Sequence, residues 1–359
     1  MNSTAATNAQ RALSAAACDT LVVADPFTVA WLTGWAPDIL SGPSPFAAAP
    51  IVVVAPDGAL TAICSTDEEP ALQARGIATA AYEGFTLGPL APHAGALQRL
   101  GELPLTGRVG VEAHALPLAA APLLGERPRD VAEPLRAARA VKTDAEIAAL
   151  RETLALCDAG QAAARAAAQP GASELDVWAA TTAAIERAAG GRVPLLADLL
   201  GGARTAEIGG LPGDLVLRDG DLLLSDIVPR RTAYWGDSCA TVVVGGADRA
   251  PAAVRDAHAR VTEALERGLD ALRPGAVAGE VDARCRAGLG YPHHSGHGIG
   301  TAAHEQPRIV PGAETVLEPG MVVALEPGFY AEQWGLRCER VALVTDGAPE
   351  ILGTHDVGL

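Results

Sequence analysis

The chain has 359 residues, 49% of them hydrophobic and 19% charged, enough apolar material for about two domain cores. Its 43 acidic against 27 basic residues give a formal net charge of -16, which repels phosphate backbones and anionic lipid and argues against nucleic acid or a membrane as partner. The opening MNSTAATNAQRALSAAACDT has no basic stretch leading into an apolar one, and no run reaches roughly 18 apolar residues, so a soluble, cytoplasmic protein is expected.

Two segments near the start, TLVVAD (20–25) and PIVVVAPDGALTAIC (50–64), are β-rich, and the turn signal Pro56-Asp57-Gly58 predicts a hairpin in the second. Residues 1–135 read as a small α/β domain. Thr143 is a candidate N-cap before Asp144 and Glu146, with Ile147, Leu150, Leu154 and Leu156 following at helical spacing. This long helix opens a second domain, 136–359. Cys18, Cys64, Cys157, Cys239, Cys285 and Cys338 lack CxxC spacing and are expected to be reduced and mostly buried.

The second domain contains a repeat. PGASELDVWA (170–179) matches PGAVAGEVDA (274–283), and each copy runs through a helical stretch to a glycine that starts a strand, LRDGDLLLSDI (217–227) and LEPGMVVALEP (317–327). Asp226 lies six residues past Gly220 and Glu326 six past Gly320; Asp237 and Glu339 follow on the next strands, eleven and thirteen residues further. A duplicated helix-strand-strand unit closing about a pseudo-twofold axis would bring these four carboxylates together. Asp226 is expected to end one strand and Asp237 to begin the next, across a turn from Val228 to Gly236.

Two carboxylates on an apolar sheet repel and are desolvated unless cations lie between them. A single buried acid is satisfied by a salt bridge, with Arg337 or Arg340 for instance; four such acids point to metal. The stretch HHSGHGIGTAAHEQP (293–307) supplies the imidazoles: His293, His294, His297 and His304 are half of the chain's eight histidines. Glycines on both sides of His297 let the backbone bring that ring close to something else. Four carboxylates and one neutral imidazole balance two divalent cations, and an oxygen-rich set suits Mn, Co or Fe better than a structural zinc.

GDLLLSD, YWGDS, HHSGHGIGTAAHEQP, LEPGMVVALEPGFY and GLRCERVALV span residues 219–344 in an order that resembles the M24 metallopeptidases, the superfamily of methionine aminopeptidase, prolidase, aminopeptidase P and creatinase. The whole chain resembles the two-domain prolidase and aminopeptidase P branch; DPFTVAWLTGW and PIVVVAPDG resemble its creatinase-type N-terminal domain more loosely. The implied fold class is α/β (α+β), with a smaller creatinase-like domain preceding a pita-bread catalytic domain. The resemblance implies metal ligation by Asp226, Asp237, His297, Glu326 and Glu339, with Asp237 and Glu339 bridging two divalent ions (Mn, Co, Fe or Zn, Mn favoured). It implies a hydroxide between the ions as nucleophile, Glu326 as proton shuttle, His304 as a substrate contact that stabilises the oxyanion, and His293 as a second substrate-binding histidine. His294 has no match and reads as structural or solvated.

One departure stands out. Relatives carry a histidine shortly before the GD strand, and the corresponding position in GGARTAEIGGLPGDLVLRDGD is Gly209, with no histidine between His114 and His258. Tyr234 and Trp235 read as a pocket wall or as hairpin aromatics on the core. Strand alternation turns Cys338 away from the site and leaves Cys239 able to face it. The leading expectation is a dinuclear peptidase cleaving Xaa-Pro bonds in small peptides, as an aminopeptidase or dipeptidase, and homodimeric by resemblance. The alternatives are a hydrolase of a non-peptide C–N bond, favoured by Gly209, and a peptide-binding pseudoenzyme, disfavoured because all five ligands are present.

Overall fold

The computed structural model describes residues 3–37 and 44–359. The chain divides into two compact units, 1–139 and 140–359. In the first, β1 (Thr20–Val23), β2 (Ile51–Val54), β3 (Leu60–Ser65), β4 (Ala78–Tyr82), β5 (Val109–Val111) and β6 (Arg129–Asp130) form one mixed sheet in the order β4-β3-β2-β1-β5-β6. Both faces are covered: Leu21 and Val23 enter one cluster with Trp31 and Leu135, while Val22 enters another with Leu100 and Tyr82. That is why β1 reads as a continuous apolar run rather than an alternating one. The expected hairpin is β2–β3, pairing Ile51 with Ile63 through Val54 with Leu60 around the Pro56-Asp57-Gly58 turn.

Helices α1 (Ser3–Ala16), α2 (Pro26–Thr33), α3 (Glu69–Gln73) and α4 (Pro92–Glu102) belong to this unit, and α5 (Ala132–Ala140) ends at its limit. The second unit opens with α6 (Asp144–Ala167), capped as read: Thr143 Oγ1 accepts from the Glu146 N–H, and the Glu146 carboxylate accepts from the Thr143 N–H. The remaining helices are α7 (Glu174–Ala189), α8 (Ala252–Ala271) and α9 (Ala278–Arg286). No helix among the described residues is long and apolar enough to cross a membrane.

The repeat is visible bond by bond. Gly171 N–H donates to Leu217 O at 2.9 Å and Gly275 N–H to Leu317 O at 2.9 Å; Gly220 N–H donates to Val244 O and Gly320 N–H to Val344 O, both at 2.9 Å. Ser173 bridges Val216 just as Val277 bridges Val316. Gly171, Gly275, Gly220 and Gly320 have φ of 92°, 83°, 84° and 90°, a region a side chain would strain. Each half carries its own strands. β7 (Leu195–Gly201), β8 (Leu222–Arg231), β9 (Tyr234–Trp235) and β10 (Cys239–Val243) form the first sheet. In the second half, β11 (Gly296–Gly298), β12 (Glu305–Ile309), β13 (Val322–Leu325), β14 (Gly328–Tyr330), β15 (Gly335–Arg337), β16 (Arg340–Leu343) and β17 (Glu350–Ile351) give a five-stranded sheet in the order β12-β11-β13-β16-β17, with β14–β15 a separate hairpin.

The halves are joined where β10 meets β15. Thr241 Oγ1 accepts from Arg337 N–H at 3.0 Å and donates to Arg337 O at 3.1 Å, and Glu339 N–H donates to Cys239 O at 3.0 Å. All six cysteines are free and buried. Gly296 and Gly298 flank His297 on β11, where added Cβ atoms would run into the backbone carbonyls of Ala324 and Gln306. Those glycines therefore let β11 lie tightly between its neighbours, which fixes the His297 ring rather than freeing it. Gly296→Ala or Gly298→Ala should cost about 2–4 kcal/mol or more by this backbone clash, and urea unfolding of each variant checks it.

Candidate metal centre

Asp226 sits within β8 rather than at its end. β8 pairs with β10 through Asp226–Cys239 and with β9 through Arg230–Trp235. In that shared register Asp237 faces Val228, a diagonal neighbour of Asp226 on the same side of the sheet. The turn is Thr232-Ala233, with Thr232 at φ 54°, and not the longer Val228–Gly236 span expected. The strand persists through PRR because Arg230 and Arg231 keep their pairing to Trp235 and Tyr234, with the Arg230 guanidinium 5.4 Å from the Trp235 ring. Both aromatics are buried, and Tyr234 Oη donates to Glu146 at 3.2 Å, so they belong to the core.

In the second repeat, Leu325 pairs with Arg340, which makes Glu326 and Glu339 the next opposed pair. The bond from Glu339 N–H to Cys239 O draws the two pairs of acids together. His297 is fully buried; its Nδ1 faces the Gly298 carbonyl at 3.0 Å. That carbonyl holds the proton on Nδ1 and leaves the Nε2 lone pair aimed 3.5 Å from Asp237 Oδ2 and 3.4 Å from Glu326 Oε1.

Donor atoms of Asp237, His297 and Glu339 lie within 4.8 Å of one another, all buried. His297 Nε2 and both Glu339 carboxylate oxygens find no hydrogen-bond partner among the described residues. Buried polar atoms without partners are costly, and a cluster of them facing one another is what a cation would satisfy. The donor set is hard oxygen with one imidazole, so the residues fit divalent metal.

The protonation pattern agrees. Burial, then the charges of the other acids, pushes Asp237 and Glu339 well above the usual carboxylate range. Burial raises Asp226 to about 6 against the opposing pull of Arg337. Glu326 is also raised by burial, but the hydrogen bond from His294 and the charge of Arg337 outweigh this and hold it well below the usual range. Burial lowers His293 to about 4, and partial desolvation of His304 where its ring packs against His297 lowers it likewise to about 4, so both are neutral at pH 7.

Three neighbours of the cluster, His294, Tyr330 and Asp198, are not legible in the sequence, and a fourth, Arg337, is read there only as one salt-bridge partner a buried acid could have. His294 lies in the site, not in solvent: its Nε2 donates to Glu326 Oε1 at 2.8 Å while its Nδ1 accepts from Arg308 at 3.1 Å. Arg337 is buried and reaches Asp226 Oδ2 at 2.8 Å, Glu326 Oε2 at 3.7 Å and Cys239 Sγ at 3.3 Å. Cys239 thus faces the site, whereas Cys338 turns away, its thiol directed at Val357 O. Tyr330 Oη meets His293 Nε2 at 3.0 Å, and His293 Nδ1 meets His294 O at 2.8 Å, so both His293 nitrogens are engaged within the protein. His304 is exposed, with its ring centroid 3.9 Å from that of His297.

The remaining one of the four is Asp198. It pairs directly with Asp226 across β7–β8, and a Cβ on Gly209 would stand 2.7 Å from Asp198 Oδ2. A carboxylate thus occupies the space beside Gly209, the position where the family resemblance leads to the expectation of an imidazole. The loop holding Gly209 is anchored by buried Glu174, which accepts from Gly201 N–H at 2.7 Å, from Gly213 N–H at 2.8 Å and from Arg204.

A duplicated fold with a buried, cation-ready carboxylate cluster defines a protein of the pita-bread class. The comparisons agree: residues 148–346, more than half of the chain, match metallopeptidase family M24, and residues 6–153 match the creatinase/prolidase N-terminal domain. The chain belongs to metallopeptidase family M24. It is 37% identical over 249 residues to a probable dipeptidase PepE of Mycobacterium tuberculosis, covering 66% of this chain and 64% of that protein. It is 32% identical over 227 residues to an Xaa-Pro dipeptidase of Pyrococcus furiosus, covering 60% and 64%. The aligned stretch thus spans a little under two thirds of these relatives' length. The crystal structure of dipeptidase PepE from Mycobacterium ulcerans superposes with a TM-score of 0.78 at 27% identity, covering 99% of this chain and 96% of that one. An X-Pro aminopeptidase from Thermotoga maritima, at TM-score 0.83 and 19% identity, shares the fold.

Since burial and mutual repulsion push Asp237 and Glu339 well above the usual carboxylate range, protons compete with divalent metal for these oxygens. Binding should therefore release protons and tighten as pH rises, because fewer protons then compete. Calorimetric titration of metal-stripped protein in buffers of different ionisation enthalpy measures the number released.

Proposed function

We propose that the protein is a dinuclear metallopeptidase that hydrolyses Xaa-Pro bonds in small peptides. The observation that carries this reading is the buried set Asp226, Asp237, His297, Glu326 and Glu339, with its partnerless Glu339 oxygens and His297 Nε2, in an M24 chain related to dipeptidases. These five residues would hold two divalent cations, Mn in preference to Co, Fe or Zn. When bound, the cations acidify water and polarise the scissile carbonyl.

The protein's own groups do the rest. Glu326, low in pKa and held between His294 and His297, takes a proton from the attacking water and delivers it to the leaving proline nitrogen. His304, neutral and exposed beside His297, donates a hydrogen bond to the oxygen that becomes negative. His293 is held by Tyr330 and the His294 carbonyl, so it contributes to binding as a fixed wall. Homodimerisation and a cytoplasmic place of action are part of the same proposal.

The test is hydrolysis of Xaa-Pro dipeptides and longer Xaa-Pro peptides by metal-stripped protein after addition of Mn, Co or Zn. Metal-dependent cleavage is expected; two bound metals without cleavage of any peptide would overturn the reading in favour of a non-peptide C–N substrate. Asp237→Ala or Glu339→Ala should lose most bound metal together with activity, and two metals retained per chain in either variant would refute the ligand assignment. His304→Ala should keep its metal, measured by atomic absorption, while kcat falls by about 10²–10³.

A further inference from the structure

Asp198 is a charged group of the site that neither the cation cluster nor the proposed chemistry uses. It stands opposite Asp226 on the same face of the β7–β8 pair, and like charges directly opposed across strands are destabilising unless a cation intervenes. Arg337 is that cation, but its geometry favours the other partner: its NH2 lies 2.8 Å from Asp226 Oδ2 and 4.0 Å from Asp198 Oδ2. Asp198 Oδ1 accepts the Gly210 N–H at 2.9 Å. Oδ2 is left beyond hydrogen-bonding distance of Arg337, on a side chain 36% exposed while those of Asp237, Glu326 and Arg337 are 5–7% exposed. One carboxylate of the set therefore faces outward from the buried cluster.

The surface beside it is apolar. Two residues back along β7 and two forward along β8, on the same face, Leu196 pairs with Val228. Leu196 is 51% exposed, and Ile208, next to Gly209 on the neighbouring loop, is 41% exposed. The step between these cross-strand pairs is about 7 Å along the strands, close to the length of a lysine or arginine stem. An aliphatic strip ending in an accessible carboxylate is complementary to a side chain with a methylene body and a cationic tip. Gly209 keeps the approach open, since any side chain there would press against Asp198.

We propose that Asp198 is a specificity-determining residue that selects substrates with a basic side chain at Xaa, the stem lying along Leu196 and Val228 and the charge meeting Asp198 Oδ2. This rests on the peptidase reading above. A purely structural role, holding Gly210 in place, would give no discrimination by substrate charge.

The experiment compares lysyl-proline, norleucyl-proline and glutamyl-proline as substrates of the metal-loaded full-length enzyme and of Asp198→Asn, which keeps the acceptor for Gly210 and removes the charge. The wild type should favour lysyl- over norleucyl-proline by about tenfold in kcat/KM, as one charge-assisted hydrogen bond allows. Glutamyl-proline should be the poorest of the three. In Asp198→Asn the lysyl preference should shrink to within about twofold, with the loss expressed in KM. Raised ionic strength should erode the wild-type preference, a measurement that stands even if the variant does not fold. If norleucyl-proline is cleaved but lysine brings no advantage, or the advantage survives in Asp198→Asn, this inference alone is overturned. If the wild type cleaves none of the three, it falls together with the peptidase reading.

Discussion

The second unit is organised around an unfavourable arrangement. Asp226, Asp237, Glu326 and Glu339 converge where burial and mutual repulsion both oppose their ionisation. Among the described residues, the permanent positive charge that meets this group is Arg337, which pairs with Asp226 and Glu326. Without further cations, the conflict shows in Asp237 and Glu339, whose carboxyls are pushed well above the usual range and so hold their protons more tightly. The surrounding fold is stiff enough to keep that conflict in place. Gln161 on α6 donates to Ser225 O at 3.0 Å and Ser238 O at 2.8 Å and accepts from Ser225 Oγ at 2.7 Å, pinning both strands of the acidic hairpin. Gly236 packs so closely on α6 that an added Cβ would stand 2.7 Å from Cys157 Sγ. Such rigidity prevents the acids from relaxing apart, which is the condition for a preorganised cation site.

A similar logic governs the histidine segment. Ser295 Oγ donates to Asp282 Oδ1 at 2.6 Å, and Asp282 takes the Arg286 guanidinium at 2.8 Å, so α9 holds the strand that delivers His297. At its other end Lys142 Nζ reaches Glu305 Oε1 at 2.7 Å, both side chains nearly sealed from solvent. Breaking one partner of a buried pair leaves an uncompensated charge, so this contact restrains the residue next to His304. His304 itself remains exposed. The imidazoles thus grade from the buried His297 outward to His304, in keeping with the proposed division between metal ligation and substrate contact.

Much of this was legible in the sequence because it is written in periodic features. The PGA repeat, the glycines before each strand and the carboxylates at matching offsets map onto duplicated hydrogen bonds, Gly171 to Leu217 and Gly275 to Leu317 among them. The Thr143 cap and the Pro56-Asp57-Gly58 hairpin are local signals, and local signals survive folding. What could not be read depends on register between distant strands. Asp198 is an unremarkable acid in LLADLL until β7 is aligned against β8, when it falls opposite Asp226. His294 reads as structural or solvated because nothing in its neighbourhood announces Glu326, 32 residues away. The turn after β8 was placed too early because the polar PRR resembles a loop, whereas cross-strand pairing and the Arg230–Trp235 stack keep it extended.

The duplication also explains why the two halves can do different things with the same parts. Asp226 and Glu326 occupy equivalent places, each six residues beyond the glycine that starts its strand. Their surroundings separate them: Asp226 faces Cys239 across the ladder and is gripped by Arg337, while Glu326 is opposed to Glu339 and takes a hydrogen bond from the His294 imidazole. Burial therefore prevails at Asp226, whose pKa rises, and hydrogen bonding prevails at Glu326, whose pKa falls. Two carboxylates of common origin are driven apart by environment, the condition under which one can anchor and the other can move protons. Symmetry assembles the four acids, and the departures from symmetry, Arg337 and His294, assign them distinct roles.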